Sequence, residues 1–298
     1  MQTVTTIREL RAHLDAARAG GAIIGFVPTM GYLHAGHESL MDRARVDCDV
    51  VVASIFVNPL QFGAGEDLDA YPRDLEGDRV LATRAGVDWL FVPPVDEMYP
   101  EPVMTTVSVA GVSGTMEGAS RPTHFDGVAT VVTKLFDIVG PCHAYFGEKD
   151  FQQLAVVRRL VGDLSMPVVV VGCPTLREDD GLAKSSRNVY LSEEERAAAP
   201  VLQRALRIGS EMVAAGETDA DVVRAAMAAE IATQPYGALD YVEVADADTL
   251  EPQQVCGPSS RLVGAVRFGR ARLIDNIGVG NVAQPDPATG TARGAHDV

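Results

Sequence analysis

Apolar runs alternate with amphipathic stretches through the first two thirds of the chain. Residues 22–27 (AIIGFV) predict a buried strand, residues 37–46 predict a helix, and residues 49–57 predict a second strand. This order is typical of a parallel βαβ unit. The same patterns predict helices at about 75–85, 127–138 and 150–164 and strands at 87–93, 142–147 and 167–173. Strict alternation predicts a further, less buried strand at 104–110.

The pattern changes at Ser192, where a serine followed three residues later by Glu195 forms a capping box. One long amphipathic helix is predicted from there to Gly216. A helix at 220–232 and strands at 239–246, 261–269 and 270–279 follow, with a tight turn at 269–270. The predicted fold class is therefore α/β, with a parallel-sheet domain at 1–186, a smaller α+β domain at 187–282 and a disordered, Pro/Gly-rich tail at 283–298.

Composition restricts the classes of function. The chain of 298 residues is 47% hydrophobic and 22% charged, which is typical of a globular protein. Its net charge of -16 repels the phosphate backbone of nucleic acid and argues against non-specific binding. Any bound anion must therefore be held by a local site. No apolar run approaches the ~20 residues that span a bilayer, and the start MQTVTTIREL does not resemble a signal peptide. We expect no membrane partner and a cytoplasmic location.

The four cysteines are widely separated, so neither a zinc knuckle nor a disulfide framework is indicated. They are Cys48, Cys142, Cys173 and Cys256. We interpret each as a small buried hydrophobe.

His34 and His37 stand three apart between a predicted strand and a predicted helix. A helix N-terminus exposes backbone N–H groups and favours phosphate even on an acidic protein. Gly31 and Gly36 would let a nucleotide approach the backbone. A metal pair would want a third ligand in fixed geometry, and a merely polar helix start is the other alternative. A nucleotide site is the favoured interpretation.

Two further loops suit anions. FGEKDFQQ (146–153) places Gly147, Lys149 and Asp150 at another strand-to-helix junction, although such a charged run is more often a solvated surface. Residues 184–187 (KSSR) combine two cations with two hydroxyls just before the predicted domain boundary, where a polar linker is the alternative. Three such loops beyond strand ends of one parallel sheet favour a common phosphate site.

Five stretches, in order and over roughly residues 1–282, closely resemble the pantothenate synthetase (pantoate–beta-alanine ligase) family. They are PTMGYLHAGH, SIFVNPLQF, EGASRPTHFDGV, FGEKDFQQL and SSRNVYLS. HAGH and KSSR resemble the signatures of the wider HIGH-motif nucleotidylyltransferase superfamily. The resemblance implies a Rossmann-like N-terminal domain, a homodimer, and a reaction that uses ATP and Mg²⁺. In that reaction (R)-pantoate forms pantoyl adenylate and pyrophosphate, and β-alanine then displaces AMP to give pantothenate.

The resemblance also implies roles for single residues. His37, the acid-type group, would act with His34, Lys149 and Arg187 in catalysis. Gln61, Gln153 and Asn58 would hold pantoate and β-alanine. ATP would be bound by Met30, Gly31, His34, Gly36, His37, Gly147, Glu148, Lys149, Asp150, Leu176, Lys184, Ser185, Ser186 and Arg187. Lys184 stands where the family pattern has an apolar residue, so it either contacts phosphate or points to solvent.

Two other classes of function remain open from the sequence. A nucleotidylyltransferase that adenylylates a phosphorylated metabolite shares the HxGH turn, but VNPLQF and FGEKDFQQ would then have no role. A non-catalytic nucleotide-binding module or a tRNA-binding synthetase fragment is the second alternative. The acidic charge and the absence of a basic face argue against RNA.

Overall fold

The computed structural model describes residues 1–63, 66 and 68–279. Within them the first sheet has six parallel strands in the order β1-β4-β3-β2-β5-β6. The strands are β1 Gln2–Val4, β2 Ile24–Thr29, β3 Val50–Ile55, β4 Trp89–Phe91, β5 Cys142–Gly147 and β6 Val168–Cys173. The helices between them are α1 Ile7–Ala19, α2 Ala35–Asp47, α3 Leu75–Arg84, α4 Val95–Met98, α5 Met116–Ser120, α6 His124–Val139 and α7 Phe151–Asp163.

Helices cover both faces of this sheet. Consecutive side chains of β2 point to opposite faces, so Phe26 packs with α1, α6 and α7, whereas Val27 packs with α2 and α3. Burial on both faces explains why the central strands are nearly continuous apolar runs. The predicted α/β class with a Rossmann-like parallel sheet is confirmed.

The strand order places a topological switch beside β2. From β2 the chain runs through α2 to β3 on one side, and β5 later pairs with β2 on the other side. Ligands of open parallel sheets bind outside the carboxyl ends of the strands at such a switch. The loops that follow β2 and β5 are therefore the expected site.

The second sheet is antiparallel, in the order β7-β8-β9. Its strands are β7 Gly237–Asp246, β8 Ser260–Phe268 and β9 Ala271–Gly278, and the helices packed with it are α8 Glu193–Ala198, α9 Val201–Ala214 and α10 Ala220–Ile231. These elements share a separate apolar core. The predicted turn at 269–270 is present, with Gly269 at φ +52. The predicted capping box of Ser192 and Glu195 is also present.

The prediction of one long helix from Ser192 to Gly216 is wrong. Helix α8 ends at Ala198 and α9 begins at Val201, with Pro200 between them. Proline has no N–H to donate, and its ring clashes with the carbonyl four residues earlier. The amphipathic pattern continues across the break because both helices pack on the same core.

The predicted strand at 104–110 is wrong as well. These residues, all within the described part of the chain, join no sheet. Val109 packs in the core formed with α6, Val107 is partly buried there, and the Val107 N–H donates to Thr130 Oγ1 at 3.0 Å. The alternation therefore reflects packing against a helix rather than pairing with a strand.

Other predictions concern smaller features. All four cysteines are buried and free, as interpreted from their spacing. None of the helices in the described ranges is long and apolar enough to cross a membrane. The predicted tail at 283–298 lies outside the described residues.

Candidate active site

A cavity of about 820 Å³ opens beyond the carboxyl ends of the parallel strands. It collects most of the residues predicted for the site. Those that line it are Met30, His34, Gly36, His37, Gln61, Gly147, Lys149, Asp150, Gln153, Leu176, Lys184, Ser185, Ser186 and Arg187. Three predicted residues do not line it, namely Gly31, Asn58 and Glu148.

The turn between β2 and α2 has an unusual backbone. Gly31 has φ +83 and Tyr32 has φ +52, both in the left-handed region. The buried carboxylate of Asp78, on α3, accepts the N–H groups of Tyr32 at 3.0 Å and Leu33 at 2.6 Å. A Cβ on Gly31 would lie 2.9 Å from Ile55 Cγ2. Gly31 and Asp78 therefore shape this turn without lining the cavity.

The two histidines cap the N-terminus of α2. His34 Nδ1 accepts the Gly36 N–H at 3.1 Å, and His37 Nδ1 accepts the His34 N–H at 3.3 Å. Because each Nδ1 accepts a hydrogen bond, each neutral ring carries its proton on Nε2. The ring centroids are 4.2 Å apart. Each ring therefore has an Nε2–H donor for a ligand in the cavity that both side chains line.

Gly36 is needed for a reason beyond access of a nucleotide. A Cβ there would lie 2.9 Å from His34 Cε1, so a larger residue would displace the capping ring. Gly147 differs, because a Cβ there would meet no described atom closer than Lys149 N at 4.0 Å. The space beside Gly147 is open to the cavity.

Both histidines are neutral near pH 7. Burial, followed by the positive charge of Lys149, lowers the pKa of His34 to about 4. Burial and then the neighbouring His34 lower the pKa of His37 to about 3. These side chains are thus hydrogen-bond donors rather than cations at neutral pH.

The β5–α7 junction presents Lys149 and Asp150 to the cavity as an ion pair of 3.2 Å. Burial raises the pKa of Asp150, but the charge and hydrogen bond of Lys149, together with the charge of Arg187, outweigh it, so that pKa lies below its usual range. Asp150 is the N-cap residue of α7 by position, yet its side chain makes no capping hydrogen bond. Glu148 points toward Arg261 of β8, with 3.5 Å between Oε2 and Nη2.

A second group of polar residues surrounds Gln61. Its Nε2 lies 2.9 Å from Met30 Sδ, and its Oε1 accepts from Asn58 Nδ2 at 3.3 Å. Asn58 is buried, also donates to Gly127 O at 3.1 Å and accepts from Tyr99 OH at 2.9 Å. Asn58 thus positions Gln61 from the side away from the cavity, which Gln61 lines and Asn58 does not.

Lys184 does not point to solvent, which was one of the two arrangements considered from the sequence. Its Nζ lies 2.7 Å from Glu178 Oε2, and the side chain is only 24% exposed. Ser185 caps the following turn by accepting the Arg187 N–H at 3.3 Å. Lys184 still lines the cavity, so its charge is shared between Glu178 and the space where an anion would lie.

Sequence reasoning missed one wall of the cavity. It includes Arg121, paired with Glu66 at 2.5 Å, and His124, whose Nδ1 lies 2.9 Å from Gln61 O. Burial, followed by the charge of Arg121, lowers the pKa of His124 to about 4. The sequence signal for this wall is the stretch EGASRPTHFDGV, one of the five that resemble the family, to whose residues the resemblance assigns no role.

The second sheet also contributes to the cavity, through Arg267, Arg270 and Arg272. Arg272 Nη1 lies 2.6 Å from Glu117 Oε2, and Glu117 Oε1 accepts from Tyr241 OH at 2.9 Å. These contacts link residues more than 120 positions apart, so no local pattern could have indicated them. Cations from both sheets thus converge on one cavity of a chain whose net charge is -16.

Known proteins share this fold over nearly the whole chain. A relative named pantothenate synthetase from Brucella anthropi is 54% identical and covers 97% of this chain and 100% of its own. A pantothenate synthetase structure from Thermus thermophilus superposes with a TM-score of 0.89 at 54% identity, covering 94% of this chain and 99% of its own.

A third similar protein is a pantoate-beta-alanine ligase from Francisella tularensis, whose structure is a complex with beta-gamma ATP and beta-alanine. It has a TM-score of 0.77 and 32% identity, and covers 93% of this chain and 97% of its own. The family model described as pantoate-beta-alanine ligase matches residues 2–278. On the evidence of its fold, its cavity and these relatives, the chain belongs to the pantoate-beta-alanine ligase family.

Proposed function

We propose that this chain condenses pantoate with β-alanine, using ATP, to give pantothenate, AMP and pyrophosphate through a pantoyl adenylate. The observation that carries the proposal is the pairing of two Nε2–H donors, from His34 and His37, with Lys149 across the switch point between β2 and β5. The names of the relatives support the same reaction, and the Francisella tularensis structure holds an ATP species together with beta-alanine.

The first step requires stabilisation of charge rather than a base. The carboxylate of pantoate is ionised at neutral pH and can attack the α-phosphate directly. Negative charge then grows on that phosphate and on the departing pyrophosphate, so donors aimed there lower the barrier. We assign this role to His34, His37, Lys149 and Arg187.

We further propose the following division of the cavity. Gln61 and Gln153 hold pantoate, with Asn58 fixing Gln61 from behind. ATP lies along Met30, Gly36, Gly147 and Asp150, meets Leu176 through its base, and has its phosphates near residues 184–187. Gly31 and Glu148 would serve ATP through backbone conformation, because neither residue lines the cavity. In the second step the amine of β-alanine attacks the activated carbonyl and displaces AMP.

Mg²⁺ is proposed as the partner of the nucleotide. This ion usually keeps several waters and is held by substrate phosphates and one or two carboxylates. Among the described carboxylates of the cavity, Glu66 and Glu117 accept hydrogen bonds on both oxygens, whereas Asp150 contacts Lys149 through Oδ1, so Asp150 is the one that fits a magnesium ion. Bound there, the ion would screen the charge of the triphosphate.

The decisive experiment mixes the purified protein with ATP, Mg²⁺, pantoate and β-alanine and measures AMP and pantothenate. Without β-alanine we expect pyrophosphate release that stops after about one turnover, with pantoyl adenylate retained on the protein. Without pantoate we expect no pyrophosphate. A product that keeps the nucleotide, formed from a phosphorylated metabolite, would instead support the nucleotidylyltransferase alternative.

Three further properties are proposed with this function. A homodimer follows from the resemblance and would elute at twice the chain mass. The free, buried cysteines suit the reducing cytoplasm, which cell fractionation would test. The two sheets have cores that are separate except for Leu182 and Leu250, which supports domains at 1–186 and 187–282, and limited proteolysis should first cut near that boundary.

A further inference from the structure

We propose that strand β9 of the second sheet positions both cation-bearing loops of the cavity, through Asn276 on one and Asp275 on the other. The inference rests on the proposed function, because it treats Lys149 and residues 184–187 as contacts of ATP. It adds two positioning residues that neither line the cavity nor belong to a predicted motif.

Asn276 holds the turn that carries Lys149. Its Nδ2 donates to Glu148 O at 2.8 Å and to Lys149 O at 2.9 Å, so both amide protons are used on consecutive carbonyls. Its Oδ1 accepts from Arg261 Nε at 2.8 Å. This donor and acceptor pattern leaves only one orientation of the amide. Asn276 is 5% exposed, and the contacts therefore lie away from competing water.

Arg261 reinforces the same turn from the next strand. Its guanidinium lies 4.0 Å from the ring centroid of Phe151, the first residue of α7. Its Nη2 approaches Glu148 at 3.5 Å. The junction of β5 and α7 is thus held by side chains of the second sheet as well as by its own helix.

Asp275 holds the other loop. Its carboxylate pairs with both terminal nitrogens of Arg177, at 2.5 and 2.9 Å, and the pair is almost fully buried. Arg177 Nη1 also donates to Gly181 O at 3.1 Å. Within the same loop the Lys184 N–H donates to Leu176 O at 2.9 Å. The pair of Asp275 and Arg177 thereby fixes the base of the segment that presents Lys184 to the cavity.

The arrangement follows from strand geometry. Successive side chains of a strand point to opposite faces, so two neighbours can reach two different loops. Strand β9 lies between the loop after β5 and the loop after β6, and Asn276 and Asp275 each reach one of them. The distance between Lys149 and residues 184–187 therefore depends on one strand that contacts both loops.

The test is Asn276→Asp, which keeps the size of the side chain but turns a double donor into a carboxylate facing two carbonyls. We expect the KM for ATP to rise about tenfold, because both hydrogen bonds to the turn are lost and Lys149 moves. The KM for pantoate should stay within about twofold, since Asn58 holds Gln61 and Gln153 lies inside helix α7, beyond the two carbonyls that Asn276 contacts. Asn276→Ala removes the donors without adding charge and gives the same comparison if the first variant does not fold. Asp275→Asn should raise the KM for ATP through the other loop.

Glu243→Gln is the matched control. Glu243, on β7, pairs with Arg224 of helix α10 and does not line the cavity, so this variant reports loss of stability alone. A purely structural loss lowers the active fraction and kcat but leaves both KM values unchanged. That result for Asn276→Asp, or an equal rise of both KM values, would overturn the proposal. Inactive wild-type protein would contradict the proposed function instead, so the two failures are distinguishable.

Discussion

His34 and His37 each use one ring nitrogen to bind the backbone and have the other available for a ligand in the cavity. Nδ1 of each ring accepts an N–H group at the start of α2, and Nε2 remains as a donor. Histidine suits this double role because its two nitrogens are a donor and an acceptor on opposite sides of a rigid ring. The capping bonds also hold the tautomer, so the donor is present before a ligand arrives.

Replacement of His37 tests this donor directly. We expect His37→Ala to lower pantoate-dependent pyrophosphate release about 100-fold or more, because loss of one donor aimed at developing charge has this size of effect. The measurement is single-turnover pyrophosphate release at saturating ATP. Glu38→Gln is the control, since Glu38 is the next residue but pairs with Arg84 outside the cavity. A near-wild-type rate for His37→Ala would refute the role.

Asp78 should affect ATP binding although it does not line the cavity, because it holds the turn that precedes the two histidines. Asp78→Asn retains one acceptor but points an amide N–H at a backbone N–H of the histidine turn. We expect a loss of about 1–3 kcal/mol in the free energy of unfolding and a rise in the KM for ATP.

The control for Asp78 lies at the start of the same helix. Asp74 caps α3 by accepting the Gly77 N–H at 3.0 Å, so Asp74→Ala should cost about 1 kcal/mol of stability without moving the turn. Denaturant unfolding and steady-state kinetics measure both properties. If the two variants gave equal KM values for ATP, Asp78 would have no specific influence on the histidine turn.

At the scale of elements, helix α6 lies directly against the short turn that carries Gln61. A Cβ on Gly127 would collide with the backbone carbonyl of Leu60, and Asn58 Nδ2 donates to Gly127 O. Both contacts involve backbone, which cannot rotate away as a side chain can. The glycine therefore sets the distance between α6 and the proposed pantoate pocket.

Gly127→Ala should push this turn outward. We expect a raised KM for pantoate and a stability loss of about 1–3 kcal/mol from overpacking. Gly162→Ala is the matched control within helix α7, because a Cβ there meets nothing within 4 Å. It should be neutral or stabilising by up to about 1 kcal/mol. Thermal unfolding and the KM for pantoate are measured for both variants. Equal values for Gly127→Ala and Gly162→Ala would contradict the role of Gly127 in placing the turn.

At the scale of the whole molecule, buried neutral histidines link stability to pH. The pKa values of His34 and His124 are about 4 and that of His37 is about 3, against an ordinary value of 6.5. Below pH 6.5 the unfolded chain binds protons that the folded chain does not, so the free energy of unfolding falls as pH falls toward 4. Burial is the main cause at all three sites.

Denaturant unfolding at about pH 7, 6 and 5 measures this linkage. We expect a loss on the order of 1 kcal/mol per buried histidine between about pH 7 and pH 5. Carboxylates with lowered pKa values, such as Glu66, lose their contribution only below this window. His124→Gln should reduce the slope relative to wild type. A stability that does not change across this range would contradict the neutral, buried state of these rings.

Features that depend on neighbouring residues were easier to predict from the sequence than features that depend on packing between distant elements. The alternation of strands and helices, the capping box at Ser192 and the turn at Gly269 were predicted correctly because each depends on neighbours within a few residues. The break at Pro200 was missed although it is also local, because the apolar pattern continues through it. The strand predicted at 104–110 failed because period-two burial against α6 resembles burial in a sheet.

The sequence by itself determined the parallel α/β architecture and the family, since apolar periodicity sets the elements and loops at the carboxyl ends of parallel strands meet at one edge. Only the tertiary structure decided which side chains hold those loops. Asp78, Glu117 and Asn276 act on residues 35 to 155 positions away. Contacts over such separations depend on how whole elements pack in three dimensions, and local patterning of one chain does not encode them.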